Sequence, residues 1–291
     1  MKPGYWHIGV IGGSGLAGGI AMDEAQEIAV ASPFGEPSGP VVTGRISGVR
    51  FTFLARHGTG HRIPPASVNY RANIDVLKRC GVTDVLSISA IGSLREEMKP
   101  GEFVAVDQFI DRTGGRPNSF FGEGLVGHVS LADPVCARLS GLSADAAVNA
   151  GARVHRTGTY VCIDGPQFST RAESRLYRQW GADVIGMTAM PEARLAREAE
   201  LNYALLAMVT DYDAWRDEAA GVEAADVIAV MHANAEKARA TVATLAAMLP
   251  REREPSAIDQ ALDHALITAD DARDPALIAR LDAVAGRLFG Y

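Results

Sequence analysis

His7-Ile8-Gly9-Val10-Ile11-Gly12-Gly13-Ser14-Gly15-Leu16-Ala17-Gly18 is the stretch that decides the fold. Residues 7–11 form a short apolar run of strand length, which passes without a linker into the glycine-rich turn 12–15. A strand that feeds such a turn is the opening of an α/β unit, with backbone amides at the turn free to face an anion. Similar junctions follow. Residues 51–55 read as a strand ending at Arg56-His57-Gly58, and 85–89 as a strand ending at Ala90-Ile91-Gly92-Ser93, with a fourth strand at 103–110. In the second half, 158–163, 183–187 and 204–210 read as strands, the last running into Asp211-Tyr212-Asp213.

Helical patterns lie between them. Ser67 is placed to cap a helix over 68–80 that Gly81 closes, and 136–150 ends at Gly151. Thr170 with Glu173 has capping-box spacing and opens a helix to 180. The longest helical pattern covers 223–249 and stops at Pro250. Beyond the charged loop 251–254, residues 256–268 and 275–289 read as short amphipathic helices. The expected organisation is a catalytic domain over 1–250 and a helical C-terminal extension over 251–291.

The chain has 291 residues, 47% hydrophobic and 22% charged, which suits a globular α/β enzyme. Its formal charge of −7 and lack of a dense basic run exclude nucleic acid and anionic membranes as expected partners. Cys80, Cys136 and Cys162 are widely spaced and form no CxxC pair, as expected of free thiols in a reducing compartment. No signal peptide and no apolar span of membrane length are read, so the expected location is cytoplasmic.

Gly13-Ser14-Gly15-Leu16-Ala17-Gly18 matches GxGxxG after a strand, which raises a nicotinamide-dependent oxidoreductase. The acidic residue required roughly 20 positions on has no good candidate, since Glu36 sits in a Pro-Gly turn. A plain tight turn is one alternative; a loop that holds an anion through its amides and the Ser14 hydroxyl is the other. Arg56 can offer a fork to an oxyanion beside His57. His57 and His61 lie four apart, but the intervening glycines and following prolines argue against a helical metal pair, and no metal is expected. Asp211 and Asp213 would share one side if strand geometry continued through them. Two close carboxyls raise one pKa, so that one can donate to a ring nitrogen while the other accepts from an exocyclic amine. Two solvated acids at a strand end remain the plainer alternative. Met187, Thr188, Phe168 and Ser169 also follow strands, where ligands of open α/β sheets gather.

As an ordered set these residues resemble the trimeric purine nucleoside phosphorylase family, and within it the 5′-methylthioadenosine phosphorylases. The resemblance runs over about 8–248. It is carried by Ile-Gly-Gly-Ser-Gly-Leu at 11–16, Leu-Ala-Arg-His-Gly at 54–58, Val-Asn-Tyr-Arg-Ala-Asn at 68–73 and Gly-Ser-Leu-Arg-Glu-Glu at 92–97. Asp-Gln-Phe-Ile-Asp-Arg-Thr at 107–113, Gly-Pro-Gln-Phe-Ser at 165–169, Gly-Ala-Asp-Val-Ile-Gly-Met-Thr at 181–188 and Thr-Asp-Tyr-Asp-Ala-Trp at 210–215 continue it. It implies a mixed β-sheet flanked by helices, assembled as a homotrimer or a dimer of trimers. It also implies phosphorolysis of S-methyl-5′-thioadenosine to adenine and 5-methylthioribose 1-phosphate, with inorganic phosphate as co-substrate and no cofactor.

By the same resemblance, Ser14, Arg56, His57, Ser89, Ala90 and Thr188 surround phosphate, Met187 lies against the sugar, and Phe168, Ser169, Asp211 and Asp213 frame the base. Ala224, Val227 and Ile228 match the 5′-substituent pocket, and His128 matches a residue lent to the neighbouring subunit. Asp211 is the expected general acid at N7, with Asp213 holding the 6-amino group and keeping the Asp211 pKa raised. Related enzymes for 6-oxopurines are expected to carry Asn at the base edge, so Asp213 points to adenine. Ser14 and Ser89 stand where Thr is familiar, Gly186 where Asn is common, and the resemblance does not extend to 251–291. A phosphorylase of 6-oxopurine nucleosides or methylthioinosine, and a nucleoside-binding protein without catalysis, are the neighbouring alternatives.

Overall fold

The computed structural model describes residues 4–13, 15–216 and 224–290, except the side chains of 17, 224–229 and 231–233. In chain order the regular elements are β1 (His7–Gly12), β2 (Asp23–Ile28), β3 (Val41–Ile46), β4 (Val49–Ala55), α1 (Tyr70–Arg79), β5 (Asp84–Ser93), β6 (Phe103–Val106) and β7 (Gln108–Asp111). They continue with α2 (Ala137–Asn149), β8 (Val154–His155), β9 (Thr159–Cys162), α3 (Arg171–Gln179), β10 (Val184–Gly186), α4 (Ala189–Glu198), β11 (Asn202–Asp211) and α5 (Ala224–Met248). Two short helices, α6 (Pro275–Arg280) and α7 (Asp282–Ala285), follow.

Among the described residues, eleven strands form one mixed sheet in the order β2-β3-β4-β1-β5-β10-β9-β7, with β11, β6 and β8 branching from β5. The branch creates the site. β1 runs parallel to β5 and pairs with Asp84 to Ser87, whereas β10 runs antiparallel and meets it only at Gly92 and Ser93. Among the described residues, one edge of β5 from Ile88 to Ile91 therefore has no strand beside it. β11 covers the opposite edge along the full length. Crevices beside the carboxyl ends of strands are where open α/β sheets bind ligands.

Helices pack on both faces. Ile11, Val85, Leu205 and Val209 join α1, α4 and the C-terminal helices in one core, while Ile8, Val10, Leu86 and Leu206 join α2 and α5 in the other. The alternation of Ile8 and Val10 against Ile11 follows from the two-residue period of a strand covered on both sides.

Several local expectations need correction. Asn69, not Ser67, caps α1: its side chain accepts from the Ala72 amide at 3.1 Å, because Ser67 is consumed in the 3₁₀ turn Pro65–Ser67. The strand expected over 103–110 breaks at Asp107, whose carboxylate takes the Gly158 amide at 3.0 Å, so β6 and β7 join different arms of the sheet. The helix expected over 256–268 is only the 3₁₀ turn Ala257–Gln260. Ser256 caps it as a helix start would, but the Leu262 amide donates to Glu200 at 3.0 Å instead of continuing the ladder. The Thr170–Glu173 capping box forms as read.

The tail is bound tightly to the same body. Arg253 is 2% exposed and sets its fork on Asp259 at 2.7 and 2.9 Å while its Nε donates to Asp84. Leu262, Leu281 and Val284 enter the core beside α1 and α4. Among the described residues no helix is long and apolar enough to cross a membrane.

Candidate active site

Four loops converge on the uncovered edge of β5. The turn after β1 arrives through Gly12, whose carbonyl accepts the Arg56 amide at 3.0 Å and so fixes the end of β4 beside it. The Arg56 side chain then bridges the strands, donating from Nη1 to the Ile88 carbonyl at 3.2 Å and from Nη2 to the Ser87 hydroxyl at 2.7 Å. Ser89, next along, lies 3.1 Å from the Thr188 hydroxyl at the end of β10, oxygen to oxygen. Arg56, His57, Ser89 and Thr188 are all buried, so charge brought to them acts in a low dielectric. Ser14 falls outside the described residues.

Arg56 does not present the free fork expected of it. Its Nε and Nη2 donate to Glu192 at 2.9 and 3.1 Å, and Glu192 also accepts from Ser87 and the Tyr203 hydroxyl. A guanidinium that spends its fork on a buried carboxylate has one Nη1 hydrogen left over after the Ile88 contact, so bidentate capture of a second anion is corrected to at most a single contact. Burial would push the group down, but Glu192 outweighs it and holds Arg56 charged. Glu192, on α4, was not singled out in the sequence. An acid within the otherwise largely apolar stretch 189–196 was the available signal.

His57 Nδ1 sits 2.8 Å from the Ile63 carbonyl, which can only accept, so that nitrogen carries the proton. Burial, then the Arg56 charge, lowers its pKa to about 4. The ring is therefore neutral near pH 7 and offers Nε2 as an acceptor. His61 stacks on it at 4.3 Å.

At the far end of the gap stand the acids. Their convergence does not come from strand alternation: β11 ends at Asp211, and the chain turns back with Asp213 at φ +47°. The Asp211 carboxylate closes this turn by accepting the Asp213 amide at 2.8 Å. Gly92 makes room, because a Cβ there would lie 2.9 Å from Asp211 Oδ1 and 3.4 Å from Asp213 Cβ.

Burial raises both pKa values, that of Asp213 to about 6. Asp211 is held back by hydrogen bonds from the Thr210 hydroxyl, at 2.7 Å, and from the Asp213 amide. For Asp213, whose Oδ2 is enclosed with no hydrogen-bond partner among the described residues, burial leads and the Asp211 charge adds to it. The expected direction is thus reversed: Asp211 raises Asp213, because both Asp211 oxygens already accept hydrogen bonds. Asp213 is 7% exposed. The Ser169 hydroxyl is enclosed with no hydrogen-bond partner among the described residues, as expected of a group that a ligand completes. Phe168, by contrast, is exposed.

Met187 lies between the two ends, its thioether over Gly165 in the loop after β9; a Cβ on Gly165 would be 2.3 Å from Met187 Sδ. Ala224, Val227 and Ile228 fall at the start of α5, with their side chains outside the described residues. His128 is not joined to the cluster. It stands exposed on a loop strapped to the tail, its amide donating to the Ala265 carbonyl at 2.9 Å.

The Ser89 and Thr188 hydroxyls beside the buried Arg56 at one end of the strand gap, and the Asp211–Asp213 pair at the other, form the candidate site. The chain belongs to the Phosphorylase superfamily, whose model matches residues 7–247. It is 58% identical over 283 residues to the S-methyl-5′-thioadenosine phosphorylase of Cereibacter sphaeroides, covering 97% of this chain and 98% of the relative. It is 56% identical to that of Bradyrhizobium diazoefficiens, covering 97% of each. Among solved structures, a methylthioadenosine phosphorylase from an Antarctic soil metagenomic library superposes with TM-score 0.91 at 45% identity, covering 97% of this chain and 99% of the other. Methylthioadenosine phosphorylase from Schistosoma mansoni in complex with tubercidin superposes with TM-score 0.78 at 38% identity, covering 84% and 91%.

Proposed function

We propose that this chain cleaves S-methyl-5′-thioadenosine with inorganic phosphate, giving adenine and 5-methylthioribose 1-phosphate. The observation that carries the base assignment is the Asp211–Asp213 pair around Gly92: a carboxylate accepts from a 6-amino group, and a protonated partner donates to N7. A 6-oxopurine would instead set its carbonyl against an acceptor.

Phosphate lies among Ser89, Thr188, the amide of Ala90 and the glycine turn with Ser14. Arg56 supplies charge and one hydrogen, and the neutral His57 accepts a P–OH hydrogen at Nε2. As the C1′–N9 bond breaks, its electron pair moves onto the purine and the acid pair places its one proton on N7. A phosphate oxygen then bonds to C1′, its negative charge having stabilised the cationic sugar on the way. Adenine leaves neutral, and no metal or organic cofactor takes part. Burial and the adjacent Asp211 charge favour Asp213 as the resting place of that proton. Met187 bears on the sugar, and Phe168 and Ser169 on the base. Ala224, Val227 and Ile228 receive the methylthio group, which suits apolar walls better than a hydroxyl whose unpaired burial costs ~1–3 kcal/mol.

We infer further a homotrimer, or a dimer of trimers, in which His128 of each chain reaches the adjacent site. Residues 1–250 are assigned to catalysis and 251–291 to packing.

The test is to incubate the purified protein with methylthioadenosine, with and without phosphate, and to follow free adenine. Phosphate-dependent release supports the proposal. Cleavage confined to inosine or methylthioinosine would refute the base assignment.

A further inference from the structure

Met187 and Thr188 share one peptide bond, and each end of it is held from another part of the fold. The Met187 carbonyl accepts from Arg116 Nη1 at 2.9 Å, and the Thr188 amide donates to the Tyr160 hydroxyl at 3.3 Å. Arg116 lies in the loop after β7 and Tyr160 on β9, so neither belongs to the segment that it holds.

Arg116 is 8% exposed. Besides Met187, its hydrogens go to the carbonyls of Met190 at 2.7 Å, Asp164 at 3.0 Å and Ile163 at 3.3 Å, and to the Tyr70 hydroxyl at 3.3 Å. Its charge is met by the half-exposed Asp164, whose carboxylate is 3.2 Å from Nε, and by the Tyr70 ring, 5.4 Å away. A buried cation held in this way is weak evidence for stability. What it does provide is geometry, for those carbonyls come from the two segments that meet at Met187. Ile163 and Asp164 lead into Gly165, at φ +65°, on whose backbone the Met187 thioether rests. Tyr160 depends on a similar allowance: a Cβ at Gly186 would lie 2.1 Å from its hydroxyl oxygen, so glycine there admits the hydroxyl to the Thr188 amide.

We propose that Arg116 and Tyr160 are positioning residues for the phosphorolysis, clamping the two ends of the Met187–Thr188 peptide so that the sugar contact is fixed relative to the phosphate contact. This rests on the assignment of Met187 to sugar and Thr188 to phosphate made above. Rotation of the peptide would swing the Met187 side chain off its Gly165 seat and draw the Thr188 hydroxyl from Ser89. Because attack needs phosphate placed under the anomeric carbon, a displacement of ~1 Å costs ~10²-fold.

Steady-state phosphorolysis of methylthioadenosine, with phosphate and nucleoside varied separately, tests this in T188V, Y160F, R116K, R116Q and the Y160F/R116Q double variant, each melted in parallel. T188V is expected to raise the phosphate KM; an unchanged value overturns the site assignment and the clamp with it. With that shift in hand, Y160F, which deletes one oxygen and leaves the ring packed, is expected to lower kcat/KM about 10–100-fold with little change in melting temperature. R116Q should lose a similar factor and R116K recover part of it. The double variant should lose less than the product of the single losses, since one peptide is released only once. Unchanged kinetics in Y160F, or fully multiplicative losses, would overturn the clamp while leaving the T188V result standing. If R116Q fails to fold, Y160F with R116K decides.

Discussion

Replacing Asp213 by Asn should make the protein more stable and a much poorer enzyme, with the gain in stability dependent on pH. The folded pKa of about 6 lies above the ordinary value of 3.8, so folding binds a proton that the unfolded chain has already released. Below pH 3.8 the carboxyl is neutral in both states and the penalty is absent. It grows as pH rises through the window and is fully present above pH 6. A shift of about 2 pKa units corresponds to about 3 kcal/mol at pH 8, falling to about 1.5 kcal/mol at pH 5. Asn has the same shape and no charge, so D213N should gain up to that amount at pH 8 and about half of it at pH 5. Urea midpoints at both pH values and one protein concentration would measure the gain, concentration being fixed because an oligomer's stability depends on it. Phosphorolysis should meanwhile fall by ~10²–10⁴-fold as the proton is lost. A variant equally stable at both pH values relative to the parent would refute the electrostatic argument, and near-full turnover would refute the catalytic one.

Gly92→Ala places a methyl 2.9 Å from Asp211 Oδ1, so kcat/KM for the nucleoside should fall by tenfold or more while the phosphate KM stays near the parent value; separate titrations of the two substrates check it. Glu192→Gln leaves the Arg56 charge buried without its carboxylate and should cost ~3–5 kcal/mol, read from the urea midpoint. Arg253→Met removes one partner from Asp259, which keeps Asn202 at 2.7 Å, and one from Asp84, which keeps Arg138 at 2.9 Å, and should also cost ~3–5 kcal/mol in the same measurement.

Where fold was legible in the sequence, the cause was local. The strand at 7–11 could be read because a strand buried on both faces is a continuous apolar run. β2 escaped because all six of its residues, Asp-Glu-Ala-Gln-Glu-Ile, are exposed on an edge, where charge discourages unwanted pairing and erases the apolar pattern. The amphipathic pattern over 256–268 reads as a helix, but only the Ser256-capped turn at 257–260 forms. What ends it is remote: Glu200 takes the Leu262 amide, and Asp259 is occupied by Arg253 and Asn202. No window over 256–268 contains that information.

The site divides along the same line. Glycines, hydroxyls and acids at strand ends could be found because the sheet brings successive strand ends to one rim, whatever the side chains do afterwards. Arg56 reads from the sequence as an open fork at a strand end, and the residue that consumes that fork lies 136 positions away. The acid pair shows the converse. Strand alternation would have placed Asp211 and Asp213 on one side, and the actual device, a carboxylate-closed turn through a left-handed residue, also brings them together. The turn does something that alternation would not. It spends one Asp211 oxygen on the Asp213 amide and the other on Thr210, which stabilises Asp211 as the anion and leaves Asp213 as the group more readily kept protonated. The asymmetry between the two carboxyls is therefore built into the turn itself, and shows only once the φ of one residue is known.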